Sequence, residues 1–382
     1  MCPHCGCDAA FKGYDSKQIT SVLGKVEYHR AYYHCTTCHC GFHPTDHEFD
    51  LNTARTRGTQ ELLSLAGIQE AFAECAERVL HVMSGLTVSA STVQRVAETA
   101  GLDVAEKRSS TETIGPCEQW QWPRDKQGQT TAYASLDATG VPQQGCHGER
   151  AEGRMSWVAS VFAPVPPKSP AKRHLRHARY VSGLMSLEEI GRQLRHECQA
   201  VGIETADLTI GLTDGGNGLE TCLLETALQG LSQQTVMILD FYHCAEHLSE
   251  FIALWVGPER AEAESSEWRH RLKHEGGTSV LNAIQSLDLR HASPEIVESH
   301  RQLCGYLRNN LHRTDYPDYI AKGWEIGSGE IESACKTVVG QRLKGAGMRW
   351  RPPGTTAICQ LRALFKSDSA LWNSYWRTPA KT

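Results

Sequence analysis

Two C-x-x-C knuckles, Cys2-Pro3-His4-Cys5 and Cys35-Thr36-Thr37-Cys38, stand near the start of the chain, and no other feature of the sequence restricts its fold as tightly. Four thiolates, each ~2.3 Å from one zinc ion, make a closed tetrahedral site, structural rather than catalytic because no coordination position is left open. Between the knuckles, Gln18 to Val26 and Val26 to His34 read as two short strands around Gly24, the hairpin of a zinc ribbon. Cys7, Cys40, His4 and His39 compete as ligands. Residues 1–50 are too few to build a core of their own, so cysteines acting only as small buried hydrophobes are the weaker reading. Six of the fifteen cysteines fall in the first forty residues, and without an export signal they are reduced thiols that point to metal.

The remaining bounds are broad. A chain of 382 residues accommodates one large domain with one or two small modules. No run of ~18 apolar residues occurs and the first residues have nothing of a signal peptide, so a soluble, cytoplasmic protein with no membrane partner is expected. A formal net charge of -5 excludes a uniformly basic coat; any nucleic-acid contact must come from local basic patches.

Residues 51–115 read as a helical module. From Thr59 the apolar positions Leu62, Leu63, Leu65, Ala66, Ala71, Phe72, Cys75, Val79, Leu80 and Met83 recur at helical spacing, and Gly85 ends the stretch. Ser89 then caps a short amphipathic helix, as in the second half of a helix-turn-helix that would expose Ser91, Gln94, Arg95 and Glu98 to a major groove. A plain helical bundle linking two domains is the competing reading. Charged Glu106 to Glu112 and the Gly115-Pro116 step mark a linker.

Residues 116–248 read as α/β. The strand Thr131 to Leu136 ends in Asp137; Ser156 to Phe162 and His177 to Val181 follow; a helix from Ser186 to Ala200 buries Leu187, Ile190, Leu194 and Cys198. Strands from Asp207 to Thr213 and from Thr235 to Leu239 end at Asp214 and Asp240. Three strands, a helix, a strand, a helix and a fifth strand is the order of the RNase H-like fold, whose five-stranded mixed sheet sets the ends of its first and fourth strands side by side. Carboxylates at those ends, Asp137 and Asp214, suit a pair of hard divalent ions of the kind that drive phosphoryl transfer. Asp240 lies one strand further, ~4.8 Å away. A third carboxylate must come from a later helix, and the turn Gly327-Ser328-Gly329 opens one with Ile331, Cys335, Val338, Val339 and Leu343 at helical spacing. Glu330 and Glu332 lie about 200° apart on it, so one of them faces the ions, and spacing does not say which.

Taken together, Cys2-x-x-Cys5, Cys35-x-x-Cys38, Gly41-Phe42-His43-Pro44-Thr45-Asp46, Ser135-Leu136-Asp137-Ala138-Thr139, Thr213-Asp214-Gly215, Ile238-Leu239-Asp240-Phe241-Tyr242-His243, Gly327-Ser328-Gly329-Glu330-Ile331-Glu332-Ser333 and Gln341 to Trp350 resemble the DDE transposases of bacterial insertion sequences, most closely the ISKra family, over nearly the whole chain. The resemblance implies a catalytic triad of Asp137, Asp214 and Glu332, holding two Mg²⁺ or Mn²⁺ ions. It maps a D/C-x-x-H element onto Asp240 and His243 as auxiliary residues. The long interval from Asp214 to Glu332 then implies a helical insertion, residues 249–320, between the first part of the core and its last helix and tail at 321–382. The implied activity is metal-dependent cleavage and strand transfer of DNA, with the element's terminal inverted repeats and a target as partners and a homo-oligomer assembled on them.

Two basic stretches offer phosphate contacts: Lys168, Lys172, Arg173, Arg176 and Arg179, and then Arg342, Lys344, Arg349 and Arg351 with Trp350 among them. His243 is expected to orient Asp240, a water or a phosphate. The alternatives to a transposase are an RNase H-like nuclease without strand transfer and a catalytically inactive zinc-ribbon DNA-binding protein.

Overall fold

The computed structural model describes residues 1–49, 51, 53–165 and 175–377. The first unit is a long antiparallel hairpin, β1 (Ala10–Ser21) and β2 (Gly24–His34), with a short third strand β3 (Gly41–Phe42) added at its base. Its strands are longer than the expected pair and bury only Ile19, so the hairpin has almost no apolar core. Asp46 staples it instead: this buried carboxylate accepts from Lys17 (2.8 Å), Tyr28 (2.6 Å) and Arg30.

Two helices dominate the next module. α1 (Arg57–Gln69) is capped by Thr56, and a further helical run over 72–84 ends at Gly85 in the left-handed conformation. α2 (Ala90–Ser109) starts at Ser89, whose hydroxyl accepts from the Thr92 amide as expected. It is not short. Its 20 residues run through most of the stretch read as a charged linker, because Val93, Ala97, Ala100 and Val104 form a continuous apolar stripe and Arg108 is itself buried, bound to Glu197, Gln360 and the Tyr180 carbonyl.

The centre is a five-stranded mixed sheet. β4 (Thr131–Gln144), β5 (Arg150–Val165) and β6 (Leu175–Gly183) form an antiparallel meander; β7 (Leu208–Thr213) and β8 (Thr235–Leu239) run parallel to β4, and the order is β6-β5-β4-β7-β8. All of β7 is buried, as a parallel strand covered on both faces must be. Along β4 the side chains alternate: Ala132, Ala134 and Leu136 pack beneath α3 (Leu187–Ala200), while Tyr133 and Val141 face the other layer.

That second layer contains α4 (Phe241–Val256), α5 (Pro258–Gln285) and α6 (Pro294–Asn310), whose Leu248, Phe251, Ile252, Leu281, Ile284, Leu303 and Leu307 join the core of Ile210, Leu212 and Ile238. α7 (Gly329–Ala334) then returns the chain to the sheet, continues through a π-helical turn, Cys335–Gly340, and leads to α8 (Pro352–Lys366), which packs along α2 and β6. Among the described residues no helix is long and apolar enough to cross a membrane.

Candidate catalytic and metal sites

The two knuckles close on each other. Cys2, Cys5, Cys35 and Cys38 place their sulfurs within 4.8 Å of one another, with Cys2 to Cys38 and Cys5 to Cys35 both 3.6 Å. A disulfide needs ~2.05 Å, whereas thiolates ~2.3 Å from a shared tetrahedral ion stand apart by about the separation seen. Both knuckles use the same local turn: the Cys2 amide donates to the Cys7 carbonyl and the Cys35 amide to the Cys40 carbonyl, and Gly6 and His39 occupy equivalent positive-φ positions. Backbone amides of Cys38 and Thr37 pull the Cys35 thiol down to about 6, favouring the thiolate. The Cys7 and Cys40 thiols donate to the backbone carbonyls of Cys5 and Cys38, so their sulfurs stay out of the cluster, and neither His4 nor His39 joins it.

At the sheet's carboxyl edge three aspartates stand in one row. Ser135 pairs with Leu212 and Thr213 with Leu239, so Asp137, Asp214 and Asp240 follow at neighbouring register positions, ~4.8 Å per strand. They differ in what they touch. Asp240 is 1% exposed and fully engaged: it caps α4 through the Tyr242 amide (2.9 Å) and accepts from both the amide (3.2 Å) and hydroxyl of Ser328. It thereby ties the turn before α7 to the sheet. Gly327 lies so close to the Tyr242 ring that an added Cβ would come within 2.5 Å of it and would force the exposed ring aside.

Asp137 and Asp214 keep acceptor capacity free. Asp137 takes a bond from the Ala138 amide (2.6 Å) and meets the Cys335 thiol at 3.5 Å; Asp214 takes one from the Gly216 amide (2.8 Å). Among the described residues, neither forms a salt bridge. Burial, and then the nearby charge of Asp214, push the Asp137 carboxyl up from its ordinary value, against the pull of the Ala138 amide and His243. This is a like-charge pair without an internal cation, and oxygen ligands left open in this way fit a hard divalent ion.

The two glutamates of α7 part company. Glu330 is buried and accepts from the Tyr180 hydroxyl on β6. Glu332 is exposed, makes no side-chain hydrogen bond among the described residues, and lies one turn before Cys335, whose thiol is raised by burial, by Asp137 and by Glu332. Cys335 touches Asp137 from this helix; in the sequence it stood among the apolar positions at helical spacing, with nothing to mark its contact with the carboxylate. Lys344 donates to Thr139, two residues beyond Asp137 on the same strand.

Facing this edge, His243 and His247 bring their Nε2 atoms to 3.1 Å, and the His247 ring packs on Tyr306, whose hydroxyl donates to the Asp214 carbonyl at 3.1 Å. His247 and Tyr306 escaped the sequence reading; the former carried the signal of i,i+4 spacing from His243. His243 does not reach Asp240, whose carboxylate is taken up by Tyr242 and Ser328.

The basic stretches need correction. Lys168, Lys172 and Arg173 lie outside the described residues, as does the side chain of Arg176. Arg179 is wholly buried, paired with Glu118 (3.5 Å) and Glu197 (3.6 Å), and so offers nothing to a phosphate. Arg342 is buried too: its guanidinium sits 4.6 Å from the Phe72 ring centre and 4.8 Å from that of Trp350, and donates to the Gly67 carbonyl. Trp350 is buried with its indole nitrogen on the Leu343 carbonyl. Lys344, Arg349 and Arg351 remain exposed. Arg349 and Arg351 border a groove of about 680 Å³ whose other side is formed by Gln94 and Glu98 of α2. Models of known protein families do not match the chain, and neither do curated proteins.

Proposed function

We propose that the chain is a DDE-type transposase of the ISKra kind, with an RNase H-like core, a zinc ribbon formed by residues 1–50, and Asp137, Asp214 and Glu332 as its catalytic carboxylates. The observation that carries this reading is the pair Asp137 and Asp214, in register on adjacent parallel strands and, among the described residues, without a salt bridge, while Glu332 follows exposed on a helix that returns to the sheet after a long helical segment. The strand order, with three antiparallel strands followed by two parallel ones beside the first, agrees with the expected core.

Two divalent ions, when bound, would supply the charge that stabilises the attacking and leaving oxygens of phosphoryl transfer. The open oxygens of Asp137, Asp214 and Glu332 would hold them. Lys344 presents an ammonium beside Asp137 and neutralises a phosphate brought there. Asp240 acts as a positioning residue, since it grips Ser328 and so sets the start of the helix that carries Glu332. DNA leading to the site would lie along the exposed Arg349 and Arg351 and the outer face of α2, where Ser91, Gln94 and Arg95 are exposed.

The test is strand transfer with DNA carrying the ends of the encoding element, in magnesium or manganese. Asp137→Ala, Asp214→Ala and Glu332→Ala should each lose joining by roughly a thousandfold, the equivalent of ~4 kcal/mol of barrier. Undiminished joining in these variants would sink the assignment. Cleavage without joined product would instead indicate a nuclease, and binding without either reaction an inactive DNA-binding protein.

A further inference from the structure

Helix α4 carries a second set of ligating side chains that the carboxylate site does not use. His243 and His247 are one turn apart, the spacing that brings two side chains to one face of a helix. Their Nε2 atoms are 3.1 Å apart and the rings nearly perpendicular, at 85°. Each ring turns its other nitrogen toward a glutamate of the same helix: His243 Nδ1 is 3.8 Å from Glu246 and His247 Nδ1 is 3.7 Å from Glu250.

A neutral imidazole has one N–H and one lone pair. With the N–H of both rings on Nδ1, toward the carboxylates, two lone pairs confront each other across 3.1 Å, and a shared cation turns that repulsion into attraction. Nitrogens ~2.0–2.1 Å from one ion and 3.1 Å apart subtend roughly 100° at it, between the octahedral and tetrahedral angles. The two glutamates, at 3.7 and 3.8 Å, are too distant to hydrogen-bond the rings but add negative charge beside a bound cation.

We propose that His243 and His247 together bind a borderline divalent transition ion of the zinc, nickel or cobalt class. Imidazole nitrogen selects such ions, whereas the oxygens of Asp137 and Asp214 suit magnesium, so the two sites differ in chemistry although they are neighbours. The histidine side chains are 36% and 42% exposed, which leaves room for water or an oxyanion to complete the coordination. Tyr306, packed on His247 at 4.7 Å and hydrogen-bonded to the Asp214 carbonyl, restrains the ring from behind. Spacing alone is not the argument. His270 and His274 on α5 share it, yet their rings are tilted by 41°, both residues are exposed, and their nitrogens make no contact with each other. The inference stands whether or not the chain is a transposase.

Nickel binding to the full chain, with zinc already in the cysteine cluster, tests it by calorimetry. One equivalent of Ni²⁺ should bind, and His243→Gln and His247→Gln should each weaken binding at least tenfold. His270→Gln should leave it unchanged. X-ray absorption of the nickel-loaded native chain, which needs no variant to fold, should show imidazole nitrogen ligands. No binding, binding indifferent to His247, loss of binding in His270→Gln, or sulfur in the nickel coordination sphere would each overturn the proposal, leaving the histidines as a plain hydrogen-bonded pair.

Discussion

Asp137 is held in an environment that disfavours its charge, first through burial and then through Asp214. The folded chain consequently binds this proton more tightly than the unfolded chain. The stability contributed by the carboxyl is fully present below the ordinary carboxylate value, 3.8, and is lost as pH rises toward the raised folded value. At neutral pH the ionised group is a standing cost unless a cation joins it. Asp137→Asn should therefore stabilise the metal-free chain at neutral pH by about 0.5–2 kcal/mol, a gain that disappears in acid. Melting curves with and without magnesium check this: the ion should raise the wild-type midpoint more than that of the variant, and a variant no more stable than wild type would contradict the account. The arginines divide by burial in a related way. Arg342, pushed down to about 10 by burial, stays charged near neutrality and packs between two aromatic rings, so Arg342→Ala should cost about 1–3 kcal/mol in urea unfolding. On the proposed reading, in which exposed Arg349 meets a DNA phosphate, Arg349→Ala should leave stability alone and lower the slope of log K against log salt for DNA binding by about 0.9.

Among the elements, the β1–β2 hairpin and the α2–α8 pair are held by opposite means. The hairpin buries almost nothing apolar, so its order is expected to rest on Asp46 and on an ion held by the four-cysteine cluster. Cys5→Ser should abolish stoichiometric zinc, and limited proteolysis should then cut within residues 1–50 while the central sheet stays resistant. Intact protection of the hairpin in that variant would rule out the metal as its staple. Helices α2 and α8 touch backbone to backbone at Gly101, where an added Cβ would come within 2.0 Å of the Ala357 carbonyl oxygen. Gly101→Ala must push the helices apart, at a cost of about 1–3 kcal/mol measured by thermal unfolding. This approach accounts for a glycine in the middle of a long helix, where propensity alone argues against one.

Across the whole molecule, the helical insertion joins the sheet rather than standing off it, since α4 begins directly at β8 and its apolar face shares a core with β7. The C-terminal segment closes the opposite side: Trp372 donates to Glu61 and the Trp376 carbonyl accepts from Arg57, tying the last helix to the helical module. The site sits where these parts meet, with Asp137 and Asp214 from the sheet, His243 from the insertion, and Glu332 and Lys344 from the segment that follows it.

Patterns that repeat over short distances were legible without any coordinates. The C-x-x-C spacing foretold the four-cysteine cluster, and the buried segments ending near Asp137, Asp214 and Asp240 foretold β4, β7 and β8, although β4 runs on to Gln144. Asp137 stands beside Asp214 because β7 pairs with β4 up to Ser135–Leu212 in the observed sheet; β4 itself continues past Asp137 to Gln144 through its pairing with β5, where the sequence suggested a strand end. Burial of charge could not be read in this way. Arg108, Arg179 and Arg342 look like surface cations in the sequence, and their partners Glu197, Glu118 and Phe72 lie far from them along the chain. The same holds for Glu330 and Glu332, two residues apart and chemically identical, since only the position of Tyr180 on β6 decides which is buried and which stays open. A local pattern carries its own hydrogen-bonding and packing needs, whereas the environment of a charge belongs to whatever the fold brings against it.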